Sequence, residues 1–228
     1  MTDDDDGAGD DTKPDTPLEL DPRLVMTPQL QLAVRLLGTP TRELPAMIAD
    51  WQRRHPGAVD SLAPGEVDPY DERERELATE DSIEPWFYFD EEPFPPLGAD
   101  VWIFGNPPQV RINGRAMPRL KAVFDDRTMT RSAADVRQAS WLVRGLRQRA
   151  RTFEKIAAAI VALRPALAIT VDPSTLAPVP VHAVAEAVEM HASTIRRVAA
   201  VCRLQTLHGV LSLSDEHDAI GFRREEAG

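Results

Sequence analysis

The sequence is poor in cysteine and lacks a long hydrophobic run. Its one cysteine, Cys202, excludes an internal disulfide framework and a zinc cluster built on cysteines, and suits a reducing compartment. No stretch reaches the roughly 18 consecutive apolar residues of a membrane span. The first residues, Met1 to Asp6, are acidic and polar, unlike a secretory signal peptide. We therefore expect a soluble protein of the cytoplasm.

Proline is scarce in the second half of the chain. Of the 20 prolines, 16 lie in residues 1–127 and four in the remainder. Because proline interrupts helices and central strands, regular structure should concentrate after residue 127. The total of 228 residues suits one or two small domains.

Acidic residues outnumber basic residues over the whole chain, which gives a net charge of -11, but two parts of the chain differ in the sign of their charge. Residues 1–100 carry 8 basic and 25 acidic side chains, a net of -17. Residues 101–203 carry 16 basic and 7 acidic side chains, a net of +9. Such an asymmetry suggests a part that faces nucleic acid, tethered to an acidic arm.

Within the first half, one short segment has the pattern of a helix. Thr27 can cap a helix that begins with Pro28, and Gly38 can end it. Leu30, Ala33, Val34 and Leu37 then form one apolar stripe. Thr39-Pro40 can restart a helix towards Trp51, which Pro45 must kink or shorten.

An acidic, proline-rich linker is predicted over residues 56–98. Its aromatic residues, from Trp86 to Phe89 and Phe94, are unusual for a spacer. They either dock on a partner or on the second half of the chain, or they collapse locally among the acidic residues. The sequence leaves both interpretations open.

From residue 99 the pattern becomes regular. Two short apolar runs flank Gly105 to Pro108 and predict a small β-hairpin. A long helix follows, from a capping box at Ser132 and Asp135 to a stop at Pro165, about three times the usual helix length of about 11–12 residues. Its apolar positions are spaced three and four apart, at Val136, Ala139, Val143, Leu146, Ala150, Phe153, Ala157 and Ile160. Basic residues decorate it, at Arg137, Arg144, Arg147, Arg149, Arg151, Lys155 and Arg164.

Residues 181–202 have the spacing of a helix-turn-helix, in which two short helices cross around a tight turn. Val184 and Val188 line the first helix, Met190 fills the turn, and Ile195 and Val198 anchor the second. Glu189 occupies the turn position where glycine is usual. The second helix would present five residues suited to phosphate or base edges, His191, Ser193, Thr194, Arg196 and Arg197. An ordinary helical hairpin with solvated arginines is the alternative, and the basic helix before it favours DNA binding.

Several segments, in order, resemble the sigma-54 family of bacterial RNA polymerase sigma factors. "MTPQLQLAVRLL" (residues 26–37) and "TREL" are similar to the family's N-terminal regulatory region, and "AVEMHASTIRRV" (residues 187–198) to its helix-turn-helix. "ADVWI" and "MPRLKAVF" resemble its hairpin region, and "ASWLVRGLRQRARTFEKIAAAIV" its extra-long helix. Thr206 and Gly209 match the segment just after the helix-turn-helix.

The resemblance implies a transcription initiation factor that holds core RNA polymerase on a promoter until a hexameric ATPase activator remodels it. It implies a regulatory latch formed by Met26, Pro28, Gln29, Leu30, Leu36 and Leu37. It further implies that promoter DNA contacts the leading end of the second helix at His191, Ser193, Thr194 and Arg197, and the long helix, where we include Arg144, Arg147 and Arg151. Ala192 and Arg196 differ from the usual residues of the family.

Two parts of the family pattern have no counterpart in this sequence. The space between latch and hairpin holds the acidic linker instead of the helical segment that grips core polymerase. The C-terminal domain with its signature box would follow the helix-turn-helix, where this sequence reaches Gly228. The sequence therefore resembles a reduced or divergent member of the family.

The predicted fold class is mainly α: a short N-terminal helical region, a disordered acidic linker, a small β-hairpin, and an extra-long helix followed by a helix-turn-helix. The predicted domains are a disordered acidic leader (1–21), a regulatory helical region (22–55), the acidic proline-rich linker (56–98), a hairpin region (99–127), a DNA-binding domain of the long helix and the helix-turn-helix (128–216) and a tail (217–228).

Two other classes of function remain beside the DNA-binding regulator. One is a protein-interaction decoy of the sigma-54 system, whose latch engages the activator or the polymerase while DNA binding is vestigial. The other is an enzyme, which the sequence does not favour, because it has no glycine-rich phosphate loop, no metal-spaced histidines and no paired acid and base. We expect no catalytic residue, metal or cofactor, and no membrane partner.

Overall fold

The computed structural model describes residues 26–61, 99–114, 116–122 and 133–225. The acidic leader and most of the acidic linker, including the aromatic residues of the linker, lie outside these ranges. The prediction that they are disordered therefore concerns residues outside the described part of the chain. Among the described residues, no helix is long and apolar enough to cross a membrane.

Two short helices form the N-terminal region. Helix α1 spans Pro28–Gly38, and the Thr27 hydroxyl caps it by accepting from the backbone N–H of Leu30 at 3.3 Å. A 3-10 turn, Thr41–Glu43, leads into α2, Leu44–Arg54. Pro45 lies in the first turn of α2, where its missing N–H costs no helical hydrogen bond, so the helix is not kinked there.

The long basic helix is present as α3, Ala133–Leu163. Its 31 residues extend about 46 Å at 1.5 Å per residue. A 3-10 turn at Pro165–Ala168 follows it, as expected where proline cannot continue a helix.

A six-stranded sheet dominates the rest of the described chain. The predicted hairpin is β2 (Val101–Phe104) with β3 (Gln109–Ile112). Three further strands form a meander: β6 (Arg203–Thr206), β7 (Gly209–Glu216) and β8 (Ala219–Arg224). The two-residue strand β5 (Val179–Pro180) pairs with β8, so the strand order is β3-β2-β6-β7-β8-β5. A separate pair joins β1 (Val59–Ser61) to β4 (Leu120–Ala122).

The predicted fold class, mainly α with a small hairpin, is therefore wrong. The hairpin is one edge of a mixed sheet, because β2 pairs in parallel with β6, with Val101 opposite Leu204. The strands after residue 202 have four, eight and six residues, and each of the two longer ones shows only one pair of alternating buried apolar residues (Leu211 and Leu213, Ile220 and Phe222), which is a weak period-two signal. The parallel pairing joins segments about a hundred positions apart and has no local signature.

Two hydrophobic clusters lie along α3. The larger joins its C-terminal half to the sheet and to the two helices that follow, through residues such as Phe153, Ile160, Leu204 and Leu213. The smaller joins its N-terminal half to α1 and α2, through Leu36, Leu44, Ile48, Trp51, Leu142 and Leu146. The core side of α3 matches the predicted stripe, except that Val136 is only half-buried.

Candidate nucleic-acid interface

The helix-turn-helix consists of α4 (Val181–Val188) and α5 (Ala192–Ala199). Glu189 stands in the turn with φ 55° and ψ 44°, the left-handed conformation that glycine adopts more readily. The Met190 N–H closes the turn by donating to the Ala185 carbonyl at 3.0 Å. Glu189 thus adopts the backbone geometry that glycine usually supplies.

The apolar residues predicted for this motif hold its helices on the core. Val184, Val188, Ile195 and Val198 are buried, and Met190 is half-buried. Lys155 of α3 adds a polar contact, since its Nζ donates to the Val188 carbonyl at the end of α4 at 2.9 Å. A cation at a helix C-terminus also faces the negative end of the helix dipole.

The leading end of α5 carries the residues that sequence reasoning assigned to DNA. The His191 Nδ1 caps the helix by accepting from the Ser193 N–H at 3.2 Å, and it lies 2.8 Å from the Ser193 hydroxyl. Ser193 and Arg197 lie four positions apart on the exposed side of α5, with Thr194 beside them. These four residues are close together in the structure.

Arg196 has a different environment, because it forms an ion pair with Asp218. Asp218 belongs to the turn between β7 and β8, so the predicted DNA-binding set includes one residue that already has an anionic partner within the chain. No feature of the local sequence around Asp218 signals this contact.

The predicted contacts on α3 are not equivalent. Arg144 and Arg151 are exposed and lie seven positions apart, about two turns along one side of the helix, while Arg147 is half-buried. On the same exposed side, Arg137 lies seven positions before Arg144, and Lys155, whose Nζ donates to the Val188 carbonyl, lies four positions after Arg151. The exposed side of α3 is therefore a basic stripe formed by Arg137, Arg144, Arg151 and Lys155.

Arg149, counted with the surface arginines of α3 in the sequence, is fully buried. Its Nε donates to the Leu36 carbonyl at 2.9 Å, and its Nη2 donates to the Thr39 carbonyl at 2.9 Å and the Thr41 hydroxyl at 2.8 Å. The guanidinium also lies 4.0 Å from the ring centroid of Phe153. One buried cation thus binds the end of α1 and the turn after it to α3.

Asp100 extends this buried network into the sheet. Its carboxylate accepts a hydrogen bond from the Thr41 hydroxyl and another from the Arg203 backbone N–H, the latter at 2.8 Å. Burial raises the pKa of the Asp100 carboxyl, although these hydrogen bonds and the nearby guanidinium of Arg149 oppose that rise. The pKa of Arg149 is lowered, again mainly by burial. The two opposite charges share one enclosed region between the N-terminal helices and the sheet.

The six predicted latch residues divide into two groups. Met26, Pro28, Gln29 and Leu30 are exposed, whereas Leu36 is buried and Leu37 is half-buried. Gly145 of α3 allows the close approach of Leu36, because a Cβ atom at this position would lie 2.6 Å from the Leu36 Cδ1. Leu37 packs against the larger cluster, and α1 contacts α5 as well as α3. The latch thus has an exposed start and an anchored end.

Metal chemistry has no obvious place in the described ranges, since no three potential ligands among His, Cys, Asp and Glu converge there. The one cysteine, Cys202, is buried, and burial raises the pKa of its thiol.

Comparison with known proteins agrees with this geometry. Residues 129–216, which hold α3, the helix-turn-helix and the first two strands of the meander, match the family model described as "Sigma-54, DNA binding domain". Residues 129–216 are therefore similar to a DNA-binding domain of the sigma-54 type.

Three RNA polymerase sigma-54 factors match parts of this chain. The chain is 42% identical over 78 residues to RNA polymerase sigma-54 factor 1 of Bradyrhizobium diazoefficiens, which covers 34% of this chain and 16% of the relative. It is 34% identical over 115 residues to the RNA polymerase sigma-54 factor of Azorhizobium caulinodans, a match that covers 46% of this chain and 22% of the relative. It is 32% identical over 144 residues to the RNA polymerase sigma-54 factor of Caulobacter vibrioides, a match that covers 57% of this chain and 29% of the relative. The chain is thus similar to sigma-54 factors over part of its length, and the matched segments span less than a third of these relatives' length.

Proposed function

We propose that this protein binds promoter DNA with the leading end of α5, and that the basic stripe of α3 contacts the phosphate backbone. The observation that carries the proposal is the group of His191, Ser193, Thr194 and Arg197 at the start of α5, in which His191 and Arg197 are exposed and Ser193 and Thr194 are half-buried, while the opposite side of the helix is buried. A guanidinium can bind guanine through two hydrogen bonds, and short hydroxyls can bind base edges or phosphate.

The basic stripe would supply affinity without sequence preference. Arg144 and Arg151 are exposed and seven positions apart, so both can face one DNA backbone along the same side of α3. Contacts of this kind position a protein on DNA, whereas base contacts select the sequence. The net charge of +9 over residues 101–203 favours this role despite the acidic total.

The N-terminal region is proposed to contact core RNA polymerase and a hexameric ATPase activator. Met26 and Leu30 are exposed apolar residues at the start of α1, with 40% and 48% of their surfaces accessible. The other end of α1 is fixed to α3 by Leu36 and Arg149. A partner that grips the exposed start would therefore act on α3 through the anchored end.

Salt-dependent DNA binding tests the first part. Fluorescence anisotropy with a promoter fragment should show affinity falling steeply as salt rises, because basic residues release counterions from phosphate. Arg197→Ala should cost about 1–3 kcal/mol of binding free energy and relax the sequence preference. The matched control is Arg223→Ala, since Arg223 is an exposed arginine on β8 rather than on α5, and should leave the preference unchanged.

A pull-down with core RNA polymerase tests the second part. We expect retention that weakens when Met26 and Leu30 are both replaced by serine, with DNA binding unchanged. Retention of polymerase or activator without any DNA binding at low salt would favour the decoy function instead. Failure to retain polymerase would exclude sigma activity for this chain.

A further inference from the structure

The turn between β7 and β8 lies against the helix-turn-helix. Glu216 pairs with Ala219, which leaves His217 and Asp218 as a two-residue turn. Both have left-handed backbone conformations, with φ of 51° and 66°. Positive φ at both central positions is the geometry of the type I′ turn that joins tightly paired strands. The turn is therefore a defined structure with a fixed direction.

Backbone contacts fix Asp218 beside both helices of the motif. Its carbonyl accepts from the Val181 N–H at the start of α4 at 2.8 Å. The next residue, Ala219, pairs with Pro180 of β5, immediately before α4. The Asp218 carboxylate then reaches α5 and pairs with Arg196. An anion is thus held at the edge of the surface that we propose faces DNA.

This ion pair is accessible to a competing anion. The Arg196 and Asp218 side chains keep 42% and 75% of their surfaces exposed. Arg196 follows Ser193 by three positions and precedes Arg197 by one, so it borders the proposed DNA surface. Arginine binds carboxylate and phosphate with the same planar arrangement of donors, and the two anions therefore compete for it.

We propose that Asp218 sets the DNA affinity of this protein by occupying Arg196, which a DNA phosphate must take over from it. This role rests on the proposed DNA-binding function. Because phosphate is the same in every sequence, Asp218 lowers the affinity for all DNA and leaves base selection to Ser193, Thr194 and Arg197. Arg196 is a departure from the usual family residue, and Asp218 accounts for how the chain accommodates an extra arginine next to Arg197.

The test is Asp218→Asn, which removes the charge and suits the turn, since asparagine adopts the left-handed conformation readily. Anisotropy titrations at low salt should show binding about two- to five-fold tighter, the range expected for one exposed ion pair. The gain should be similar for the promoter fragment and for DNA of mixed sequence. The matched control is Glu186→Gln, which makes the same change in net charge at an exposed position of α4 and should give a clearly smaller gain.

A double-mutant cycle assigns the gain to Arg196. Arg196→Ala should cost more affinity in the Asp218→Asn background than in the unmodified protein, because there Arg196 no longer forms its ion pair with residue 218. Thermal unfolding should show that each variant remains folded. A gain that persists without Arg196, or an affinity that is unchanged or weaker in Asp218→Asn, would overturn the role of Asp218 alone. No DNA binding by any variant would overturn the proposed function and this role with it.

Discussion

Around the C-terminal half of α3, buried apolar side chains join the helix to α4, α5 and five strands of the sheet, with Phe153, Ile160, Ile195 and Leu204 all fully buried. Around its N-terminal half, the apolar cluster is smaller, and the end of α1 is fixed largely by the hydrogen bonds of Arg149. Apolar burial is non-directional and tolerates small shifts, whereas a buried cation needs its acceptors in place. The DNA-binding part is thus continuous with the larger core, while the N-terminal region joins α3 through the smaller apolar cluster together with the buried hydrogen bonds of Arg149.

The largest effect on stability should come from removing a buried apolar side chain near the C-terminal half of α3. Ile195→Ala removes a fully buried side chain between α5 and the core and should lower the free energy of unfolding by about 2–5 kcal/mol. Chemical denaturation measures this loss, and amide hydrogen exchange should show reduced protection throughout α4 and α5. Ile169→Ala is the control, since Ile169 is 63% exposed, and its effect should stay within about 0.5 kcal/mol. Similar losses in the two variants would contradict the description of one continuous core.

The second largest effect on stability should come from removing the buried hydrogen bonds between Arg149 and the N-terminal region. Arg149→Met keeps much of the side-chain volume but removes the guanidinium donors to the Leu36 and Thr39 carbonyls and one of the cations near Asp100. We expect a loss of about 3 kcal/mol, as for one member of a buried charge network. Hydrogen exchange should accelerate in α1 while α4 and α5 keep their protection.

The control for that experiment is Arg151→Met, which removes an exposed arginine from the same turn of α3. It should leave exchange in α1 unchanged. If Arg149→Met loosens α4 and α5 as much as α1, the two regions are not attached in different ways.

The smallest effect should come from the turn of the helix-turn-helix. Glu189→Gly removes a side chain from a residue with φ 55° and should stabilise the protein by about 0.5–1 kcal/mol, despite the greater freedom of glycine in the unfolded chain. Urea denaturation measures the gain. Ala187→Gly, in the body of α4, is the opposite control and should destabilise by a similar amount. A loss of stability in both variants would mean that the Glu189 side chain makes a compensating contact.

The sequence predicted what is periodic and local. The three-and-four spacing from Ala139 to Ile160 located α3, and the apolar positions from Val184 to Val198 located the two helices after it. The burial of Arg149 was not predicted, although the sequence contains a signal for it. Arg149 falls on the same side of α3 as the apolar residues Leu142, Leu146 and Phe153. In an apolar stripe, a single arginine indicates a buried cation.

Other parts of the fold and site have no such signal. The ion pair of Arg196 with Asp218 and the hydrogen bond from Arg203 to Asp100 join residues 22 and 103 positions apart. Their partners are set by the sheet, whose parallel pairing of β2 with β6 depends on tertiary packing. A local pattern of residues can indicate a strand, but it does not identify the strand beside it.

The pairing of Val101 with Leu204 also has a consequence for the newly made chain. A ribosome adding about 5–20 residues per second needs about 5–20 s to proceed from one strand to the other. During that interval the β2–β3 hairpin has an open edge of unpaired backbone groups, the feature that makes nascent sheets prone to associate. Completion of the DNA-binding part during synthesis therefore waits for β6, and shorter exposure of that edge should favour correct folding over aggregation.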